Sequence, residues 1–157
     1  MEHFAASEIS LQDKICFMKF KKNPRTLARV ESLFDEENWN LGETRMMIES
    51  PDQLAAILKE NRLEEIKDEL KDDLTYFSNS SSMLTIRMPL KSFSEFGLIA
   101  EMATLLAKNG ISIQVMSSPP DIHFIVSEDN AEKAYHTIKG LITASKKALE
   151  GTNKTGK

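Results

Sequence analysis

Residues 97–116, "GLIAEMATLLAKNGISIQVM", change periodicity at a single glycine. Before Gly110, Leu98, Ile99, Met102, Leu105 and Leu106 recur at helical spacing on one face. After it, Ile111, Ile113 and Val115 alternate with Ser112, Gln114 and Met116, the two-residue period of a half-buried strand. Asn109 and Gly110 are the stop between them, because glycine takes the left-handed backbone that ends a helix. The preceding "MLTIRMP" reads as a strand closed by Pro89, so the segment is strand, helix, strand. Such a crossover is right-handed and leaves its two strands parallel. "SSPPD" then turns the chain, and "IHFIV" returns antiparallel with Ile122, Phe124 and Val126 on one face. A closing helix, "SEDNAEKAYHTIKGLI", turns Ala131, Ala134, Tyr135, Ile138 and Leu141 inward. The pattern predicts an α+β unit: a mixed sheet with helices on one face.

The first half is less regular. "KICFMKF", residues 14–20, reads as a strand. "NPRTLARVESLF" reads as a helix capped by Asn23, with Pro24 at its first position and Leu27, Val30 and Phe34 on one face. Gly42 and Glu43 suit a tight hairpin turn into a strand at 44–49. Ser50 caps a predicted helix, "PDQLAAILKE", again opened by proline. A further helix places Leu63, Ile66 and Leu70 on one side, and the charge run 64–73 is its solvated face. "LTYFS" is a short strand, and "SNSSS", residues 78–82, reads as the linker between units. "MMIESPDQLAAILKE" echoes "FIVSEDNAEKAYHTIK", which points to a duplicated unit. The second unit lacks a strand after its last helix, so an N-terminal strand at 8–20 is expected to complete its sheet. The expected organisation is a first unit at 1–80, a second at 81–145 and a disordered tail at 146–157.

Composition narrows the functions available. The chain carries a formal net charge of −4 over 157 residues, which argues against nucleic acid as a partner because binding phosphates needs a basic face. No apolar run reaches membrane-spanning length, and "MEHFAASEIS" lacks a signal-peptide pattern. No membrane association and a cytoplasmic location are therefore expected. The one cysteine, Cys16, sits in an apolar run and reads as a buried hydrophobe. No cysteine or histidine stands at metal-ligand spacing, and neither His123 nor His136 has an acid and a nucleophile beside it. Catalytic residues, cofactors and metals are expected to be absent. The methionines, among them Met46, Met47, Met88, Met102 and Met116, read as core filling.

The stretch from Met83 to Ile142, with "FGLIAEM", "LAKNGISIQVMS" and "IHFIVSEDNAEKAYHTI", resembles an ACT domain. Such domains are βαββαβ modules that bind amino acids and regulate metabolic enzymes. The tandem arrangement, with the acidic "LEEIKDEL" helix before the second unit, resembles the regulatory region of aspartate kinases, enzymes of lysine, threonine and methionine biosynthesis. Paired ACT units of cytosolic arginine sensors are a second likeness. The resemblance implies tandem ferredoxin-like units, a homodimer, an amino-acid effector such as lysine or threonine, and a kinase catalytic domain as partner, since none fits in this chain. "NWNLGETRMM" is shorter than the family's two strands, so the first unit is compressed.

The resemblance also implies an effector site at the loop after the first strand of the second unit and along its next strand. Here these are Ser94, Glu95, Phe96, Gly97, Leu98 and Ile99, and Gln114, Val115, Met116, Ser117 and Ser118. Chemistry agrees: a helix N-terminus offers free N–H groups to a carboxylate, and Gln114, Ser117 and Ser118 offer polar side chains. Glu95 and Asp121 would meet a cationic effector such as lysine or arginine. Each residue also has a plain role: Ser94 as helix cap, Glu95 beside the helix dipole, Gly97 relieving crowding and Gln114 at the surface. The leading expectation is an amino-acid-binding allosteric module. The alternatives are a ligand-free oligomerisation domain of a metabolic enzyme and, with no catalytic constellation to favour it, a small enzyme.

Overall fold

A computed structural model describes residues 4–35, 43–94 and 97–154. The elements run β1 (Glu8–Lys21), α1 (Pro24–Phe34), β2 (Met46–Glu49), β3 (Gln53–Lys59), α2 (Glu60–Lys67), β4 (Leu74–Arg87), α3 (Leu98–Lys108), β5 (Gln114–Ser118), β6 (Asp121–Ser127) and α4 (Ala131–Lys154). Short 3-10 turns at Leu90–Ser94 and Glu128–Asn130 precede α3 and α4. The class is α+β. The chain divides into two units, Gln12–Ser81 and Met1–Leu11 with Ser82–Lys157, so β1 and β4 each contribute to both.

In the Gln12–Ser81 unit the strands lie in the order β2-β3-β1-β4. Strand β3 is central and antiparallel to both neighbours, with Ala56 opposite Met18 of β1 and Met47 of β2. Lys21 donates its N–H to the Asp73 carbonyl at 2.8 Å and Thr75 Oγ1 donates to the Lys19 carbonyl at 3.1 Å, so β4 runs antiparallel to β1. Helix α1 begins where the sequence places it. Thr26 donates its N–H to Asn23 Oδ1 and Asn23 returns its N–H to Thr26 Oγ1, both at 3.0 Å, a reciprocal capping box. Cys16, Met18 and Phe20 of β1, Val30 and Leu33 of α1, Leu54, Ala56 and Leu58 of β3, and Leu63, Ile66 and Leu70 form the core.

Two expectations fail in this unit. Residues 53–59 are a strand, whereas "PDQLAAILKE" is predicted as a helix. Pro51 and Asp52 instead turn a hairpin, in which Ser50 donates both its N–H (2.9 Å) and its hydroxyl (3.1 Å) to the Gln53 carbonyl. Serine before proline and aspartate signals a turn as well as it signals a cap. The five residues 54–58 are all buried, which suits a strand flanked on both edges and covered on both faces. The echo with "SEDNAEKAYHTIK" therefore aligns a strand with a helix and is no sign of duplication. Likewise "SNSSS" is no open loop but lies inside β4, with Ser81 and Ser82 buried and Ser80 in the left-handed region at φ 56°, although the division between the units falls within it, between Ser81 and Ser82. Ladder bonding to a neighbouring strand satisfies this polar backbone as well as water would. Gly42 of the expected hairpin turn lies outside the described residues.

In the other unit the order is β1-β4-β6-β5, with residues 8–11 of β1 at one edge. Strands β5 and β6 are antiparallel, Met116 facing His123 and Ser118 facing Asp121. Met88 donates its N–H to the Pro120 carbonyl at 2.9 Å, and Thr85 touches His123, so β4 also runs antiparallel to β6. Hence β4 and β5 are parallel, as a strand–helix–strand connection requires. Helix α3 ends in the Schellman arrangement foreseen at Gly110: Gly110 donates to the Ala107 carbonyl (2.9 Å) and Ile111 to the Leu106 carbonyl (3.1 Å), with Gly110 at φ 71°. Leu84, Ile86, Leu98, Met102, Leu106, Ile122, Phe124, Val126, Ala134 and Ile138 form the core, joined by Phe4 and flanked by Ile9 and Leu11. Strand β5 starts at Gln114, three residues later than the alternation implies, yet Ile111 is still buried. Helix α4 continues to Lys154, so residues 146–154 are helical where a disordered tail is expected. Extending a helix already nucleated on the core adds one hydrogen bond per residue, and "KKALE" favours it.

Candidate functional site

The expected effector loop follows β4. Ser94 closes the 3-10 turn, and Glu95 and Phe96 lie outside the described residues. Gly97, not Ser94, occupies the cap position of α3; it sits at φ 84°, accepts the Glu101 N–H at 2.8 Å and supplies no side-chain cap. Its left-handed backbone is where glycine is favoured. Leu98 is committed to the core, whereas Ile99 is 37% exposed rather than packed with it. On β5, Gln114, Val115, Ser117 and Ser118 are exposed and Met116 is half-buried. The register separates them. Val115 and Ser117 face Phe124 and Ile122 on the helix-covered side, while Gln114, Met116 and Ser118 pair with Ile125, His123 and Asp121 on the second side.

That second side carries a group that reading single segments misses. Arg87 Nε donates to Asp121 Oδ1 at 2.8 Å and Arg87 Nη2 to Asp121 Oδ2 at 2.9 Å, a side-on bidentate pair between β4 and β6. Asp121 is thus already paired with Arg87, one edge of whose guanidinium it takes. The hydrogen bond from Arg87 pulls the Asp121 carboxyl below its ordinary range. One step inward, Thr85 Oγ1 and His123 Nδ1 lie 2.9 Å apart. His123 is 5% exposed. Burial lowers its pKa, Asp121 pulls it back up, and Arg87 lowers it further. The signal was present: alternation puts Thr85 with Arg87 on one side of "TIRMP" and Asp121 with His123 on one side of "DIHFIV". It becomes legible only once β4 and β6 are paired.

The His123 environment has a measurable consequence. The groups facing its ring are Thr85 and Arg87 from β4, Asp121 on its own strand and Met116 from β5. A histidine depressed in the folded state binds its proton more readily when unfolded. Its contribution to stability is complete above the unfolded pKa of about 6.5 and is lost as pH falls below it. Between pH 7 and pH 5.5 the melting temperature of the wild type is expected to fall more steeply than that of His123→Gln. Parallel melting curves would exclude a buried neutral His123.

Elsewhere the side chains offer little chemistry. Cys16 is fully buried, and burial, then Glu60 and Glu64, push its thiol up to about 12, so it is unreactive at neutral pH. Among the described residues no cluster of three or more His, Cys, Asp or Glu side chains is placed to hold a metal, and no helix is long and apolar enough to cross a membrane. A shallow groove of about 440 Å³ runs along α4 between His136 and Lys147 and includes none of the expected site residues.

Comparison with known proteins bears on this arrangement. Residues 78–139 match the ACT domain family, a span running from within β4 into α4. No curated protein matches the chain. Among solved structures, a Vibrio cholerae protein of unknown function, described as a possible transport protein, shares 18% identity at a TM-score of 0.62, with 90% of this chain and 94% of that one covered. Aspartate kinase from Clostridium acetobutylicum shares 13% at 0.63, covering 83% of this chain and 33% of the enzyme. The ligand-free regulatory subunit of aspartate kinase from Thermus thermophilus shares 17% at 0.60, covering 85% and 95%. At these identities the likeness is one of fold. Residues 78–139 thus carry the ACT domain signature, in a chain that resembles the ACT regulatory region of aspartate kinases.

Proposed function

We propose that this chain is an amino-acid-sensing regulatory module built of two ACT units, acting on a metabolic kinase of the aspartate kinase type. The observation that carries the reading is the ACT match at 78–139, on a unit with strand order β1-β4-β6-β5. The Gln12–Ser81 unit supports the tandem arrangement. It has the element order βαββαβ, and its first strand lies between its last and its third, as β4 lies between β1 and β6 in the other unit. The loop at 94–99 and strand residues 114–118 are the effector site of this reading, lysine or threonine the first effectors to try, and the kinase catalytic chain the target. An effector acts by binding one state of the assembly more tightly than another. Exposed Met47, Ile48 and Val115 on the edge strands β2 and β5 favour a homodimer, which covers such edges.

A thermal-shift screen of the twenty amino acids, run on material whose mass is fixed by light scattering, tests this. An effector at about one hundred times its Kd adds roughly 2.7 kcal/mol. For a domain of this size that raises the melting temperature by roughly 5–10 °C. No shift with any amino acid at millimolar concentration counts against sensing, and a monomeric mass against the homodimer. The confinement of the family match to 78–139 favours a second reading, a ligand-free interaction domain. That reading expects a silent screen together with co-purification of a kinase chain.

A further inference from the structure

The open end of the second face, in the unit that includes residues 82–157, holds a charge row with an unusual balance. Arg87 of β4 pairs with Asp121 of β6, and Asp121 stands in register with Ser118 of β5. From β1 the carboxylate of Glu8 acts on Arg87 through space. The inner end of the same face is closed, with His123, Ile125 and Met83 all buried. At the open end, Ser118 is exposed and the Arg87 side chain is 64% exposed. The grip of Asp121 uses Nε and Nη2, one edge of the guanidinium. The remaining donors, on Nη1 and the outer side of Nη2, have no partner among the described residues and stay fixed in a plane by that grip.

We propose that Arg87 is the α-carboxylate anchor of the effector and Asp121 its positioning residue; this rests on the amino-acid-sensing reading above. Arginine held side-on by one carboxylate still offers a second set of parallel donors to another. The charge balance selects the ligand class. Arg87 brings one positive charge, Asp121 and Glu8 two negative ones. A dianion such as phosphate meets net repulsion here, whereas a zwitterion brings a carboxylate for Arg87 and an ammonium for the Asp121 and Glu8 side. The position is also consistent, since Arg87 ends β4 at the start of the loop toward Gly97, and Ser118 ends β5. The anchor therefore lies at the chain ends that flank the effector segments.

An exposed ion pair with no ligand role is the competing account, and variants separate the two. The full chain is titrated calorimetrically with L-lysine, L-threonine, their carboxamides and inorganic phosphate. Wild type is expected to bind one free amino acid at least about 10-fold more tightly than its amide and to ignore phosphate. Arg87→Gln is expected to lose about 10-fold or more for the acid, leave the amide unchanged and so abolish the preference. The exchange R87D/D121R re-forms the ion pair and is expected to melt with wild type while still failing to bind. Wild-type affinity in Arg87→Gln, or full binding by the exchange variant, overturns the anchor and leaves the sensing reading intact. Wild type that responds to none of the twenty amino acids overturns both.

Discussion

Ala56→Asp is expected to destabilise the protein by roughly 3–5 kcal/mol, the scale of an uncompensated buried charge. Ala56 has no exposed surface and stands in the middle of β3, opposite Met18 on one side and Met47 on the other. Its Cβ points into the core formed by Cys16, Phe20, Val30 and Leu33. The described residues of that core are apolar and offer the carboxylate no hydrogen-bond donor. The helical interpretation of "PDQLAAILKE" makes the opposite forecast. On a helix, position 56 lies about 200° from Leu54, on the solvent side, where an acid changes stability by no more than about 0.5 kcal/mol. Urea titration at pH 7 decides between them. Lowering the pH should restore part of the loss, because burial raises the carboxyl pKa and the neutral acid is cheaper to bury. A wild-type midpoint for Ala56→Asp would remove β3 from the centre of its sheet.

The same contrast explains what was readable in the chain. Elements whose ends are fixed by bonds within a few residues were legible. The Asn23–Thr26 capping box closes over three residues, and the Gly110 stop closes within the last turn of α3. Strand β6 was legible because its apolar alternation needs no partner to be seen. What depends on neighbours was not. The run 54–58 is helix-forming by composition and becomes a strand because β1 and β2 bond to both its edges. The serines of β4 look like linker until a neighbouring strand takes their backbone groups. The tail after Ser145 looks disordered until the packed start of α4 nucleates it. The Arg87–Asp121 pair joins residues 34 apart in sequence, and only strand pairing makes them neighbours. The approach to α3 was legible as the start of a helix, but the charge pair at the end of β4 was not.

Phe124→Ala is expected to cost about 3–5 kcal/mol, the loss of a buried aromatic side chain plus the cavity it leaves. Phe124 is fully buried on β6, between β4 and the edge strand β5, where it faces Val115. Its ring belongs to the core shared by Leu98 and Met102 of α3 and Ile138 of α4. These helices cannot close over a cavity of that size without leaving the sheet, so relaxation recovers little. Leu90→Ala is the matched control. Leu90 is the most exposed of the described large apolar residues, and its truncation should stay within about 0.5 kcal/mol. Similar urea midpoints for the two variants would show that the core is not centred on β6. The outcome matters for the site as well as the fold. Among the described residues Leu98 is the one expected effector residue that is committed to the core, and the packing around Phe124 is what holds it there. The start of α3 is therefore positioned by the core and not by a side-chain cap, which Gly97 does not supply. A partly stable Phe124 variant should lose order first at residues 97–99. Hydrogen exchange at their amides, compared with those of 102–108, would register that loss before global unfolding does.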